Sequence, residues 1–424
     1  MGASVEQCAA ICIHFSMNLQ SDICVIGNGA VGKTAALGFA QAGLSVTLLS
    51  PAAATAPASA ESWDVRVYAL NHVAHSLLSS LRVWDGLDAA RVAPVDAMAI
   101  FSRTEGDAEG SAGRLGFDAY SARVGALAWI VEDRNLNQAL DAALKFTPKV
   151  RQMVGRATAV DTSGDTARLT LENGDTIDAA LLVGADGAHS WLRAQCEIGY
   201  DYRSYGQRGV VSNFECEKPH HGAAHQWFCG AQGIIALLPL PGQRVSLVWS
   251  APDALADQLM AESAGQLADR LAPWAAARLG KLTPVQPESI KAFPLTLIRP
   301  HAITAPRVAL VGDAAHVVHP LAGHGMNLGF GDVAALIQVL ADLGAERGGA
   351  CDYGDARALR RYARSRKEEV LLMQLATDGL ERMFGSQFEP LRVIRNMGMN
   401  LLDKLPVLKR RLIAQALGRP LSVQ

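Results

Sequence analysis

Short, nearly unbroken apolar runs recur along the chain at Asp22 to Ile26, Ser45 to Ser50 and Val308 to Val311. Their length and β-branched content read as buried strands rather than helices. Residues from about Lys33 to Ala42 predict a helix between the first two. Arg168 to Val183 predicts a hairpin turning at Asn173-Gly174, with its second arm returning into the same sheet. From Gly209 to Ser250 the pattern changes to β-rich runs (VVSNFEC, HQWFCG, GIIALLPLP, RVSLVWS) separated by Gly, Pro and His. Helical periodicity marks Val73 to Leu81, the stretch after Asp133 toward Leu140, Pro252 to Leu279, a segment from near Leu328 through Leu343, and Arg357 to Met383. The alternation predicts an α/β chain with a second, strand-rich part.

Composition narrows this without redirecting it. At 424 residues, half of them hydrophobic, the chain can bury two cores. A net charge of −2 gives no support to a nucleic-acid partner. The seven cysteines are odd in number, scattered and contain no CxxC pair, as expected of reduced thiols in a cytoplasmic protein. No apolar run reaches the roughly 18 residues of a membrane span. Residues 1–16 read as a disordered extension ahead of Met17, and Pro51 to Ala60 as a low-complexity loop.

The chemistry gathers where strands end in glycine. Gly27-Asn28-Gly29-Ala30-Val31-Gly32 lies between a strand and a helix and spells GxGxxG, a turn suited to close approach of a pyrophosphate. The same stretch, Gly27 to Thr34, also spells the GxxxxGKT phosphate loop. On the dinucleotide reading Lys33 is a solvated residue of the first helical turn, and on the other it is a phosphate ligand. The second strand ends in Ser50, where dinucleotide sites usually carry an acidic residue for the adenosine ribose, so weaker adenosine anchoring is expected. Asp186 and Asp313 each follow a strand. Each is placed either to bind a ligand hydroxyl or merely to cap a helix. Asn327 leads into the helix predicted from Leu328, whose start presents unpaired N–H groups. The groups His220, His221, His225 with Cys229, and His316, His319 with His324, lack regular metal-ligand spacing, so no metal is expected.

The stretch Arg307 to Gly329 contains GDAAHxxHPLAGxGxNLG, which resembles the second flavin-binding motif of the class A FAD-dependent monooxygenases, and among them the ubiquinone-biosynthesis hydroxylases. The resemblance extends over about residues 22–418. It implies a Rossmann-like FAD-binding domain interleaved with a mixed or antiparallel-sheet substrate domain, as in para-hydroxybenzoate hydroxylase, plus C-terminal helices. The parts would be 17–90, 120–205 and 300–345 for FAD, 91–119 and 206–299 for substrate, and 346–424 for the helical end. FAD would be held by Gly27, Gly29, Ala30, Val31, Gly32, Ser50, Arg66, Asp186, Gly187, Gly312, Asp313, Gly325, Met326 and Asn327. In this pattern Asp313 holds the ribitol, the backbone of Gly325 to Asn327 faces the flavin pyrimidine, and Arg66 lies over the flavin and its phosphates. Asp133 or Arg134 is a further contact.

The implied reaction is hydroxylation of an electron-rich ring through a flavin C4a-hydroperoxide, with NAD(P)H or another electron donor and O2 as co-substrate. No side chain acts as a nucleophile, and the loop of Pro320, Gly323, His324 and Gly325 borders the chemistry. The implied substrate is a polyprenylated phenol, with Trp227, Phe228, Leu237 and Leu238 as wall residues. His324 stands where the family usually has Gln. The basic, apolar tail from Leu391 to Gln424 suits an anionic membrane surface, a biosynthetic complex, or packing on its own domain. Two other readings stay open: another FAD oxidoreductase of the same fold, or a flavin-free accessory subunit.

Overall fold

The computed structural model describes residues 17–51, 62–102, 113–286, 290–319, 323–347 and 351–385. The N-terminal extension, the Ala/Pro loop, Pro320 and the basic tail lie outside them.

One sheet runs, from edge to edge, Thr304–Ala305, Val308–Leu310, Thr176–Gly184, Asn18–Ile26, Val46–Ser50 and Val150–Val154. All but the first of these pair in parallel. Parallel strands are covered on both faces, which is why these segments are apolar without alternation. The hairpin appears as Ala167–Leu171 against Thr176–Gly184. The first strand begins at Asn18, earlier than the apolar run suggests, because Asn18 to Ser21 pair with Thr176 to Ala179 although Asn18, Gln20 and Ser21 are polar. The helix after the glycine turn spans Ala30–Gln41, so it starts inside the motif rather than after it.

A second sheet is ordered Leu282–Pro284, Tyr200–Cys216, Arg244–Pro252, Ile234–Leu240, Ala223–Phe228, Ala97–Ser102 and Gly113–Asp118, with Lys291–Pro300 also paired to Tyr200–Cys216. It is antiparallel apart from the pairing of Ala97–Ser102 with Ala223–Phe228. Helices Asp253–Ala261 and Ala264–Leu279 cover one face, where Trp227, Trp249, Leu237 and Leu247 pack against Leu259, Leu267 and Leu271. These replace the single helical stretch expected; the second starts with a capping box at Ser263 and Gln266. The opposite face meets a three-stranded sheet of Val67–Leu70, Ala128–Glu132 and Val92–Val95, through contacts such as Leu238 and Leu240 with Ala93 and Ile130. The chain crosses into the large sheet after Val95.

Two long helices close the parallel sheet, His324–Arg347 and Ala356–Gly385. The stretch Gly325–Glu346 is long and apolar enough to cross a membrane by length and composition, contrary to the sequence reading. Its Leu328, Phe330, Val333, Leu336 and Leu340 are nevertheless buried against the rest of the chain, as in the core helix of a folded domain.

Candidate functional site

The glycine-marked turns emerge side by side. Ile26 is in register with Gly184, and Gly184 with Leu310, so the segments that follow leave the same edge of the sheet. That edge, at the carboxyl ends of parallel strands, is where such sheets receive ligands. Ala185 N–H donates to Ile26 C=O (2.8 Å) and Val311 N–H to Gly184 C=O (2.9 Å), tying the turns together. Gly27 has φ +112°, and a Cβ there would lie 2.3 Å from the Ala185 carbonyl oxygen, so this position must be glycine. At Gly29, Gly187 and Gly325 a Cβ would meet nothing within 4 Å, leaving backbone open to a ligand.

Asp313 sits in a single 3-10 turn, Gly312–Ala314, with no helix behind it to cap. No hydrogen bond among the described residues engages its carboxylate, which is exposed inside a concavity. Crowding by protein raises its pKa above the usual carboxylate range, opposed by the nearby His316 and Arg66. Arg66 is exposed just before the strand Val67–Leu70, its guanidinium 5.6 Å from the Tyr68 ring centroid. Burial works against its charge, but Tyr68, Asp133, Asp313 and Asp64 outweigh it and raise its pKa. A carboxylate without a hydrogen bond and a cation therefore face one another beside the glycine edge.

The helix after Gly323 begins at His324, one turn before the predicted start. Asn327 N–H is then the first able to bond back within the helix, and the free first-turn donors belong to Gly325 and Met326. The Asn327 side chain works as a clasp: its Nδ2 donates to Ala69 C=O (2.8 Å) and Gly323 C=O (3.1 Å), and its Oδ1 accepts from Asn71 N–H (2.9 Å). It joins the strand that follows Arg66 to the helix start that carries Gly325. Gly323, at φ +69°, lies so close to Ala69 that a Cβ would come within 3.1 Å of the Ala69 Cβ.

Several expectations need correction. Lys33 is not solvated: it is buried, 2.7 Å from Asp141 and 3.1 Å from Asn137 Oδ1, so its amine is turned away from the glycine turn. The phosphate-loop reading, which needs that amine on a phosphate, fails with it. Asp186 does act as a cap in part, one oxygen accepting from Leu192 N–H at 3.0 Å, while its Oδ1 is buried without a partner. Ser50 is buried at its strand end. Asp133 accepts from Tyr68 Oη (2.7 Å) and Asn137 Nδ2 (2.9 Å), and Arg134 is tied to Ser62, so both are engaged within the protein.

The four proposed wall residues divide by strand alternation. Trp227 and Leu237 point into the helix-covered core, whereas Phe228 and Leu238 point to the opposite face, Leu238 toward the three-stranded sheet and Phe228 against Leu115 and Ile234 of its own sheet. Turning Trp227 around would forfeit burial worth about 1.5–3 kcal/mol, so it and Leu237 are withdrawn as wall residues. His316 and His319 are buried. No group of three His, Cys, Asp or Glu side chains among the described residues is placed to hold a metal.

Sequence reasoning missed three residues that brace this edge. Arg193, almost fully buried, donates to Ala188 C=O (2.7 Å) and Ala314 C=O (3.0 Å), linking the Asp186 and Asp313 turns. Asp332 accepts from Gly312 N–H (2.9 Å), lies 2.6 Å from His316 Nε2, and accepts from Arg366 Nε (2.7 Å). The signal for Asp332 was present: an acidic residue one turn from each of Leu328 and Leu336, on the face that must be buried.

Comparison with known proteins places this geometry among flavoproteins. The chain matches the family described as FAD binding domain over residues 20–369. It is 37% identical to 3-demethoxyubiquinol 3-hydroxylase of Escherichia coli (strain K12) over 409 residues, which cover 95% of this chain and 99% of the relative. Ubiquinone hydroxylase UbiL of Rhodospirillum rubrum is 33% identical over 399 residues, covering 94% and 90%. Among solved structures, p-nitrophenol 4-monooxygenase PnpA from Pseudomonas putida DLL-E4 superposes with a TM-score of 0.72 at 16% identity, covering 95% of this chain and 99% of that one. An HpxO variant from Klebsiella pneumoniae complexed with FAD gives 0.73 at 20% identity, covering 96% and 100%. At those identities the two structures speak for the fold alone.

Proposed function

The chain belongs to the FAD binding domain family and is an FAD-dependent monooxygenase, and on that footing we propose that it hydroxylates the ring of a polyprenylated phenol or quinol in ubiquinone biosynthesis. The observation that carries the cofactor assignment is the Asp313 carboxylate, which accepts no hydrogen bond among the described residues and stands beside glycine turns with open backbone. The substrate assignment is supported by the full-length similarity to enzymes named for ubiquinol and ubiquinone hydroxylation.

In this reading the turn Gly27 to Gly32 and the N-terminus of the helix Ala30–Gln41 receive the pyrophosphate, where free N–H groups and the helix dipole favour anions. Ser50 meets the adenosine ribose. Asp313 accepts from ribitol hydroxyls, and Arg66 balances its charge from across the cleft. Asp186 Oδ1, which has no partner among the described residues, is a further acceptor for the cofactor, with Gly187 beside it. The N–H groups of Gly325 and Met326 stabilise negative charge on the flavin pyrimidine edge. When bound and reduced, FAD supplies the oxygen-activating redox chemistry. Phe228 and Leu238 present an apolar surface suited to excluding water and holding a greasy ring. Segments 17–90, 120–205 and 300–345 serve the cofactor, and 91–119 with 206–299 the substrate.

The test is the visible absorption spectrum of the purified protein with and without added FAD, followed by product analysis on a prenylated phenol with a reductant and O2. Flavin bands kept by the wild type and lost in Asp313→Ala are expected. A protein that cannot be reconstituted, or one that takes up FAD but leaves prenylated phenols untouched, refutes the corresponding half. Peripheral contact with an anionic membrane through the basic C-terminal segment is part of the proposal. Exposed Leu371, Leu372 and Leu375 lie on the helix leading toward it. Flotation with anionic but not neutral vesicles is expected, and equal recovery with both counts against it.

A further inference from the structure

We propose that Asp332 and Arg366 are positioning residues for the cofactor, the inner links of a line of alternating charges (Arg366, Asp332, His316, Asp313) that makes the C-terminal helix part of the FAD-holding apparatus. This rests on the reading of the Asp313 cleft as the flavin site.

The geometry is specific. Asp332 has no exposed surface, and its two oxygens take separate duties. Oδ2 holds Gly312 N–H at 2.9 Å and faces His316 Nε2 at 2.6 Å, while Oδ1 accepts from Arg366 Nε at 2.7 Å. Gly312 has φ +62° and immediately precedes Asp313, so the carboxylate that grips its N–H sets the direction of the Asp313 turn. Arg366, 4% exposed, reaches in from the C-terminal helix and also donates to Leu328 C=O (3.2 Å), one residue past Asn327, and to Glu369. One guanidinium thus touches both the strut behind Asp313 and the opening turns of the helix that carries Gly325 and Met326.

Space has been kept for it. At Gly331 a Cβ would lie 2.9 Å from Arg366 Nη2, so a side chain there would press on the guanidinium. Water cannot replace these partners at full burial, and a buried carboxylate deprived of one is strongly destabilised. The charged groups facing His316 are Asp332 from its helix, Arg366 from the C-terminal helix and Asp313 from its own turn; Arg66 faces Asp313 from the far side. Burial alone would lower the His316 pKa, but Asp332 and Asp313 outweigh it and Arg366 together, and raise it. The positive charge that these carboxylates favour on His316 lies beside Asp313, where it offsets the negative charge that FAD must approach.

The C-terminal helix has a second anchor that supplies the control. Buried Tyr362 donates from its hydroxyl to Leu310 C=O at 2.8 Å; it lies near enough to feel the charges of Asp332 and Arg366, but among the described residues its hydroxyl bonds to neither.

The experiment is FAD titration of apoprotein, read by flavin fluorescence quenching from about pH 6 to about pH 9, with a thermal melt for each protein: wild type, Asp332→Asn, Arg366→Lys and Tyr362→Phe. Asp332→Asn keeps the shape and removes the charge, and is expected to weaken FAD binding about tenfold or more. Arg366→Lys keeps a cation for Asp332 without the bridge to Leu328, and should fall between. Tyr362→Phe should lower the melting temperature yet hold FAD affinity within about twofold of wild type. Wild-type affinity should fall only as pH rises above the ordinary histidine range, where the imidazolium is lost, and the fall should begin at lower pH in Asp332→Asn. The inference is overturned if Asp332→Asn and Arg366→Lys bind FAD as wild type does and differ only in melting temperature, as Tyr362→Phe does. Should Asp332→Asn not fold, Arg366→Lys against Tyr362→Phe decides alone. A wild type that takes up no FAD removes the cofactor reading itself, a separate failure.

Discussion

Lys33 and Asp141 separate two nucleotide chemistries that the letters of the motif leave tied. The lysine side chain is almost wholly buried and lies 2.7 Å from the aspartate, on a helix belonging to the same domain core. A lysine in that pairing holds two helices together and cannot reach a phosphate. Breaking a buried pair by removing one partner leaves the other charge stranded, at a cost of about 3–5 kcal/mol. Asp141 retains some exposure, so Lys33→Ala should sit at the lower end of that range in urea denaturation. Folded Lys33→Ala protein should still take up FAD, whereas loss of FAD with undiminished stability would restore a phosphate-binding role.

Within single elements the same substitution has opposite consequences, according to what the missing Cβ would touch. Helix Ala30–Gln41 contains Gly32 and Gly38. At Gly32 a Cβ would lie 2.0 Å from the Gly27 carbonyl oxygen, which is backbone and cannot yield without undoing the turn. At Gly38 it would lie 2.2 Å from Ile337 Cδ1, the far end of a side chain that can change rotamer. Gly32→Ala should therefore cost more than about 3 kcal/mol, with the turn lost. Gly38→Ala should stay within about 1 kcal/mol of wild type, since the gain in helix propensity offsets the repacking. Chemical denaturation of the two variants checks both.

What the sequence disclosed follows the same physics. The glycine-ended strands were legible because a doubly buried strand must be apolar throughout, and because the turn after it must be small. The strand Tyr200–Cys216 was legible only from Gly209 on, since its first residues, through Ser204, pair on one side alone and leave Asp201, Tyr202 and Ser204 exposed. The start at His324 was hidden because a histidine and a glycine are poor helix formers, and it is tertiary contact through Asn327 that fixes them. Asp332 and Arg366 are distant in sequence, and nothing in either one's neighbours names the other.

At the scale of the whole molecule, the core of the large sheet carries its own response to acid. His225 lies under the helices, stacked on Trp227 with 5.7 Å between ring centroids. Burial, then the nearby charges of Arg278 and His220, push its pKa down from 6.5 to about 4. The unfolded chain takes up a proton near pH 6.5 and the folded chain does not, so this contribution to stability is present above that pH and is lost as pH falls toward 4. The loss amounts to about 3 kcal/mol over that interval. Denaturation midpoints measured across it should show the decline in wild type and a flatter profile in His225→Gln; matching profiles would remove His225 as the source.

The strand order of the parallel sheet sets a timetable for synthesis. Asn18–Ile26 leaves a ribosome well before Thr176–Gly184, with which it pairs and which in turn awaits Val308–Leu310. At about 5–20 residues per second, the earliest strand precedes the last by about 15–60 seconds. Through that interval the growing chain carries apolar strands with unpaired edges, and Asp332 and Arg366 arrive later still. Expression in the cell therefore depends on what shields those edges during translation, and slowed or truncated synthesis yields aggregate rather than a smaller working domain.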